Sequence, residues 1–444
     1  TEPLGRLLLK LSLPTVTAQV INMLYNIVDR IYIGHIPETG ALALTGVGVC
    51  MPLIMIVSAF AALVGNGGAP RASIFMGKGD KESAEQTLGN CFTTQIVVSL
   101  LLTLILFTGN KSFLMAFGAS ENTIPYAVAY MNIYSLGTIF VQLTLGMNAF
   151  ITAQGFAKTS MLSVLVGAAS NIILDPIFIF GLNLGISGAA LATALSQCIS
   201  FGILFFQSLL RKDCVHLKPG KITLSLSLYG EILHGGIPSL CRQGVASIAT
   251  AALNVAANPF GDAAIAALSI VSRYMMFIGS AMIGFGQGFQ PVCGFNFGAK
   301  RYDRVLEAFW FCVKVAVVFL VTLSVVSFVG APQIMRIFRK EDLDVIEIGT
   351  WALRFQCVTL PLSAWIVMSN MMTQTIGYGF RASLVAAGRQ GLFLIPALFV
   401  LPVKFGIRGL QLCQPVADAL TFVLGVVIVL GILRELKEKQ EQVE

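Results

Sequence analysis

Apolar runs of about 20 residues or more recur along the whole chain, parted by short charged or Gly/Pro-rich breaks. At a helical rise of about 1.5 Å per residue, each can cross a hydrocarbon core of about 30 Å. Twelve such runs are found, near 7–33, 43–69, 88–108, 124–150, 159–180, 186–210, 229–257, 263–290, 306–330, 349–375, 382–402 and 407–433. A transmembrane barrel would show short alternating segments instead. The pattern predicts an all-α polytopic membrane protein.

Polar residues inside these runs are the next signal. In the first helix Thr15, Gln19, Asn22, Asn26 and Asp29 fall within a stripe about 80° wide at 100° per residue. A carboxylate at the middle of a membrane helix costs roughly 2.5–3.5 kcal/mol on insertion scales, so such residues face a cavity or a partner rather than lipid. The fifth helix, SNIILDPIFIF, stacks Asn171 and Asp175 four residues apart. Pro176 then frees the carbonyl of Ile172 one turn earlier. The sixth helix adds Thr193, Ser196, Gln197 and Ser200 along one side.

Depth ties these residues together. Counted from the outer helix ends at about 1.5 Å per residue, Asp29, Asp175 and Thr193 lie roughly 8, 9 and 10 Å deep, and Asn171 roughly 15 Å. Two carboxylates sharing a partly dry site cannot both be charged cheaply. Such a pair can hold H+ or a small hard cation, but not both. Asp29 therefore reads as a switchable proton or cation site.

The chain also repeats itself at an offset of about 220–224 residues. LSLPTVTAQ at Leu11 matches GGIPSLCRQ at Gly235, AQGFAKTSML at Ala153 matches TIGYGFRASL at Thr375, and GISGAALATALSQ at Gly185 matches GIRGLQLCQPVAD at Gly406. Six spans per half predict a parallel repeat, with a pseudo-two-fold axis along the membrane normal. The predicted organisation is an amino-terminal six-helix lobe over 1–210, a cytoplasmic linker over 211–228, a carboxy-terminal lobe over 229–433 and a cytoplasmic tail over 434–444. The second half does not copy the acidic site, because Leu253 stands opposite Asp29 and Ile395 opposite Asp175. It carries Asp418 with Gln411 and Gln414 on nearly the same face, and Arg389, which reads as an internal pair with Asp418. Arg242, Arg273 and Arg354 lie close enough to cytoplasmic or interfacial levels that snorkelling accounts for some of them.

Composition agrees with the pattern. Of 444 residues 56% are hydrophobic and 11% charged, with a mean hydropathy of +0.82, against about 25% charged residues in soluble chains. Lys and Arg gather in the connections after even spans, which places both termini in the cytoplasm. The net charge of +7 is mostly this topological bias and implies no nucleic-acid partner. Nine cysteines (50, 91, 198, 214, 241, 293, 312, 357 and 413) form no CxxC pair, so neither a metal site nor a disulfide framework is expected. GFGQGF at Gly284 lies inside an apolar helix and is no dinucleotide loop. His35, His216 and His234 assemble neither a metal cluster nor a catalytic triad, and no enzyme is expected.

NIVDRIYIG, MNAFITAQGFAKTSM, NIILDPIF and QPVCGFNFGAKRYDRV together resemble the multidrug and toxic compound extrusion (MATE) family, in its DinF-like bacterial branch. The resemblance spans nearly the whole chain. It implies two six-helix lobes around a V-shaped central cleft and export of organic cations or drugs in exchange for H+ or Na+. It implies that Asp29, Asn171, Asp175 and Thr193 form the coupling site, holding Na+ if sodium is the ion, and that Pro14 is the bend point of the first helix, with Pro176 a second break. Gln19, Asn22, Asn26, Asn148, Gln197 and Asp418 are candidate cleft-lining residues. The other bacterial branch carries acidic residues in its seventh and tenth helices, whereas Ser239–Ala257 and Trp351–Thr375 contain none, which speaks against a carboxy-terminal Na+ site.

The expectation is a secondary active antiporter working by alternating access as a monomer in the plasma membrane. Its partners would be amphipathic small-molecule cations and the lipid bilayer, and it would need no cofactor beyond the coupling ion. The alternative is a flippase for a lipid-linked precursor. Its cleft should be strongly basic, and the Asp29 stripe argues against it.

Overall fold

A computed structural model describes residues 2–212, 215–223 and 225–444; Asp213, Cys214 and Leu224 of the predicted linker lie outside the described residues. Those described form helices and their connections, with no strand. By its contacts the chain divides into an amino-terminal unit, Leu11–Gly236, and a carboxy-terminal unit, Ile237–Glu444 together with the residues up to Lys10. Both boundaries fall inside helices, just before Pro14 and just before Pro238.

The first half is built from α1 (Leu4–Gly34), α2 (Gly40–Gly77), α3 (Lys81–Ala116), α4 (Ile124–Leu136), α5 (Thr138–Ala153), α6 (Ala157–Pro176) and α7 (Ile186–Leu210). The second half has α8 (Leu226–Ala257), α9 (Asp262–Gly298), α10 (Tyr302–Val329), α11 (Ala331–Phe338), α12 (Leu343–Thr359), α13 (Leu362–Thr375), α14 (Gly379–Ala387), α15 (Leu394–Phe405) and α16 (Ile407–Val443). One π-helical turn follows α6 and another joins α14 to α15. Among the described residues, nine helical segments and two bent helix pairs are long and apolar enough to cross a membrane. Helix α8 has the length but less apolarity, because Glu231, His234, Arg242 and Gln243 interrupt it. The chain is a multi-pass membrane protein with the expected twelve-helix, two-bundle fold.

Three details depart from the runs read as single straight helices. Residues 124–150 are two helices, α4 and α5, bent by 55° at Gly137. Residues 349–375 are α12 and α13, bent by 57° at Leu360–Pro361, where proline cannot donate to the preceding turn. The short α11, opened by Pro332, occupies the connection before α12. Apolar content sets where a chain can cross a membrane, whereas Gly and Pro set where it bends.

Lipid tails are as apolar as leucine, so polar contacts and close packing hold such helices together, each interhelical hydrogen bond contributing about 0.6–2 kcal/mol. Gln142 Nε2 donates to the Val57 carbonyl at 2.7 Å, Thr103 Oγ1 to Ser135 O at 2.9 Å and Asn110 Nδ2 to Asn132 Oδ1 at 2.6 Å. The segment after α7 is strapped to the start of α3. Thr223 N donates to Asn90 Oδ1 at 2.9 Å, Lys218 reaches the buried Glu85 at 3.3 Å and Lys221 reaches Glu82 at 2.8 Å.

The repeat is visible as equivalent local geometry. Asn148 Nδ2 donates to the Ser160 carbonyl at 3.5 Å, and Asn370 Nδ2 to the Ala382 carbonyl at 2.7 Å, both across 12 residues. The N-caps of α7 and α16, Gly185 and Gly406, have φ of 58° and 64°, a region open to glycine and costly for other residues. Three residues on, a Cβ on Gly188 would meet the Phe178 carbonyl at 2.6 Å, and one on Gly409 the Leu401 carbonyl at 2.0 Å.

Candidate functional site

Within the amino-terminal unit, α1, α4, α6 and α7 bring polar groups to one level inside an apolar core that includes Ile33, Val47, Tyr130, Ile179 and Ala189. Asp29 projects from α1 and is 7% exposed, while Asn171 and Asp175 on α6 are 1% and 0% exposed. The carboxyl groups of Asp29 and Asp175 face each other within hydrogen-bonding reach. Asn171 Nδ2 donates to Thr193 Oγ1 on α7 at 3.4 Å, and Thr193 Oγ1 donates onward to the Ala189 carbonyl at 3.1 Å. Asp29, Asn171, Asp175 and Thr193 thus lie together.

Their oxygens lack donors. Asp29 Oδ1, both carboxyl oxygens of Asp175 and Asn171 Oδ1 are buried without a hydrogen-bond partner among the described residues. Neither carboxylate makes an ion pair there; Arg30 follows Asp29 in sequence but is exposed. Leaving a buried polar atom unpaired costs about 1–3 kcal/mol, and more for a charged group. A proton between the two carboxyls, or a small hard cation taking several oxygens, would remove that cost. No group of three or more His, Cys, Asp or Glu that could hold a metal occurs among the described residues. The oxygen set therefore suits H+ or an alkali cation rather than a transition metal.

The backbone contributes through Pro176. It ends α6, the Ile177 N–H turns back to the Leu174 carbonyl, and the chain continues as the π turn Ile177–Gly181. The Ile172 carbonyl thus loses its usual donor beside Asp175. Leu184 N donates to Phe178 O at 3.1 Å, which fixes the π turn against the start of α7. Pro14, by contrast, lies within the continuous α1, and Thr15 Oγ1 donates to the Leu11 and Ser12 carbonyls at 3.2 and 2.9 Å.

Tyrosines complete the site, and the sequence reading missed them. Tyr25, one turn before Asp29, places its hydroxyl beside the Gln197 side chain and close to both carboxylates. Tyr130 on α4 places its hydroxyl beside Thr193 and close to Asp29, and stacks on Tyr134 at 6.1 Å. The spacing of four between Tyr25 and Asp29 was a usable signal. Tyr130 carried none, since nothing in its own segment marks it apart from packing aromatics.

Other expected residues lie elsewhere. Gln19 and Asn22 are half-buried and Asn26 is exposed, its Nδ2 donating to the Asn22 carbonyl at 2.8 Å. Ser196 and Ser200 do not join Thr193 and Gln197. Ser196 Oγ turns back onto its own helix, donating to Ala192 O at 2.6 Å, while Ser200 Oγ reaches α6 and donates to Ser163 O at 2.9 Å. Asn148 bonds Ser160, which lies eleven residues before Asn171 and so about 16 Å along α6. In the carboxy-terminal unit Arg389 Nε and Gln414 Nε2 both donate to Asp418 Oδ1 at 2.9 Å, and Asp418 is 2% exposed. That carboxylate is occupied.

The MatE family profile matches residues 14–177 and 238–400, one match in each half. The multidrug export protein MepA of Staphylococcus haemolyticus (strain JCSC1435) is 28% identical over 96% of this chain and 93% of its own length. That of Staphylococcus aureus (strain NCTC 8325 / PS 47) is 26% identical over 96% and 94%. Among solved structures, an outward-facing multidrug resistance MATE family transporter of the MOP superfamily superposes with a TM-score of 0.91 at 23% identity, covering 98% of this chain and 97% of its own. A MOP superfamily transporter from Pyrococcus furiosus, described as having a binding pocket of reverse polarity, gives 0.91 at 24% identity with the same coverage.

Proposed function

The chain belongs to the MatE family, and from that premise we propose that it is a secondary active antiporter exporting amphipathic organic cations in exchange for H+ or Na+. The observation that carries the reading is the set of four buried oxygens on Asp29, Asn171 and Asp175 with no donor among the described residues. Two negative charges in a low-dielectric surrounding attract a cation strongly. When H+ or Na+ occupies the set that attraction is cancelled, and when the ion leaves it returns. Coupling ion and cationic cargo then exclude one another, which is the requirement for exchange rather than co-transport. A ligand shifts a two-state carrier only through its different affinity for the two states, and this site offers such a difference.

The carrier would act as a monomer in the plasma membrane, with the Lys- and Arg-rich connections and both ends of the described chain on the cytoplasmic side. Asp29, Asn171, Asp175 and Thr193 are the coupling residues, with the Tyr130 hydroxyl beside Thr193 and the Tyr25 hydroxyl beside Gln197. The MepA relatives, multidrug exporters by name, support export of drugs. The flippase reading draws on Arg242 and Arg273 in the second half, but a buried carboxylate pair would repel a pyrophosphate.

Competition tests the proposal. Ethidium binding to the detergent-purified protein, followed by fluorescence, should weaken as either H+ or Na+ is raised, with unchanged capacity. Binding indifferent to both ions would overturn the shared-site mechanism.

A further inference from the structure

We infer that Arg354 and Arg408 bind the phosphate of an anionic lipid, at the membrane boundary remote from the cytoplasmic tail. Both residues belong to the carboxy-terminal unit, whereas the acidic cluster belongs to the other.

The two guanidiniums gather on Trp351. The Cζ atom of Arg408 lies 4.8 Å from the indole centroid and that of Arg354 5.5 Å. Each also meets a second ring, Phe355 at 5.8 Å for Arg408 and Phe328 at 5.3 Å for Arg354. Arg354 Nε donates to the Phe328 carbonyl at 3.1 Å, and Arg408 Nη1 to Gln411 Oε1 at 3.5 Å. Snorkelling alone would leave the charged heads loose in water, but both are held.

Helix ends set their level. Phe328 is the penultimate residue of α10 and Arg408 the second of α16. Helix α16 enters the tail at its other end, so in the proposed topology this is the outer boundary. Along α12, Glu347, Trp351, Arg354 and Val358 form one stripe. Val325, Val326, Phe328, Trp351 and Val358 are exposed, an apolar surface suited to acyl chains in a multi-pass membrane protein.

The pair has no counter-charge. Among the described residues neither arginine makes an ion pair, and Glu347, one turn before Trp351, pairs with neither. Sharing one indole puts the two charges within about 10 Å, about one Debye length, so they repel. Each has spent one of its five N–H donors. A phosphate accepts such donors on several sides and in two-pronged fashion. The exposed apolar surface beside the pair favours a lipid headgroup over dissolved phosphate.

The repeat shows that the bundle does not need these charges to fold. At the offset that aligns Asn148 with Asn370, Ala129 stands at the position of Trp351 and Asn132 at that of Arg354. Asn132 accepts from Asn110 on α3, so the equivalent helices are joined there without charge. At the offset that aligns Gly185 with Gly406, Ser187 stands at the position of Arg408.

Native mass spectrometry of the full chain in neutral detergent tests the site, with titrations of phosphatidylglycerol, phosphatidylcholine and inorganic phosphate. The first phosphatidylglycerol should bind the wild type more tightly than phosphatidylcholine. Arg354→Gln with Arg408→Gln should weaken that binding about tenfold and leave phosphatidylcholine unchanged. Arg336→Gln with Arg339→Gln removes the same charge from exposed positions on the neighbouring α11 and should change neither. Unchanged phosphatidylcholine binding shows that the variant is folded; should the double variant not fold, Arg408→Gln carries the test through a smaller loss confined to phosphatidylglycerol. Equal loss of both lipids, loss of neither, or an equal effect of the α11 variant overturns the inference. Inorganic phosphate binding as tightly as phosphatidylglycerol overturns the lipid assignment. None of these outcomes bears on gradient-driven export, so the antiporter reading stands or falls separately.

Discussion

The two halves of the chain share a frame and differ in charge. Asn148 and Asn370 make the same bond to a carbonyl twelve residues on, and Gly185 and Gly406 open their helices with the same left-handed geometry. Within that frame the first half buries Asp29 and Asp175 without donors for three of their oxygens. The second half has Leu253 in an apolar core at the first position and Ile395 at the second. Its own deep acid is neutralised by Arg389, and Arg242 stands without a carboxylate. A duplicated backbone sets where helices bend and clasp, and a few side-chain exchanges leave the unpaired carboxylate pair in one half. Unsatisfied buried carboxylates destabilise the fold, and the proposed coupling role is what would keep them in the first half.

The comparison breaks most completely if the first half is given the side chains of the second. The double variant Asp29→Leu with Asp175→Ile should lose all gradient-driven export in proteoliposomes. It should also melt at a higher temperature, because each buried polar group left unpaired in the wild type destabilises the fold by about 1–3 kcal/mol. In the second half, Asp418→Leu should instead lower stability by about 3 kcal/mol, by stranding Arg389, and adding Arg389→Met should restore most of it. Thermal unfolding followed by tryptophan fluorescence reads both effects.

Smaller changes probe the shared frame. Gly409→Ala and Gly188→Ala should each cost about 1–3 kcal/mol through overpacking, with Gly409 the more sensitive because its Cβ would come closer to a carbonyl. Asn148→Ala and Asn370→Ala should each cost about 1 kcal/mol in the same assay. The Asn370 loss should be the larger, since it also releases Arg242.

Much of this was legible in the sequence, for identifiable reasons. Apolar run length reports membrane crossing directly, so the spans could be counted. Helical spacing aligned Asn171 with Asp175, and depth placed Asp29 and Thr193 beside them. What spacing could not supply was rotation of one helix against its neighbour. Ser196 and Ser200 share a face with Thr193 by periodicity, yet Ser196 bonds back to Ala192 in its own helix and Ser200 bonds Ser163 on α6. The clasp of Asn148 onto Ser160 likewise depends on how α5 meets α6. Tyr130 became visible only when α4 was placed against Asp29. The partner of Arg242 lies outside the reach of local spacing, because Asn370 is 128 residues away.

The most direct test of the account is export of a fluorescent organic cation from proteoliposomes under an imposed pH gradient and then an imposed Na+ gradient, with wild type beside Asp175→Asn. One gradient should drive wild-type flux, which names the coupling ion, and the folded variant should no longer respond to it. Undiminished gradient-driven flux in Asp175→Asn would contradict the assignment of coupling to the amino-terminal site.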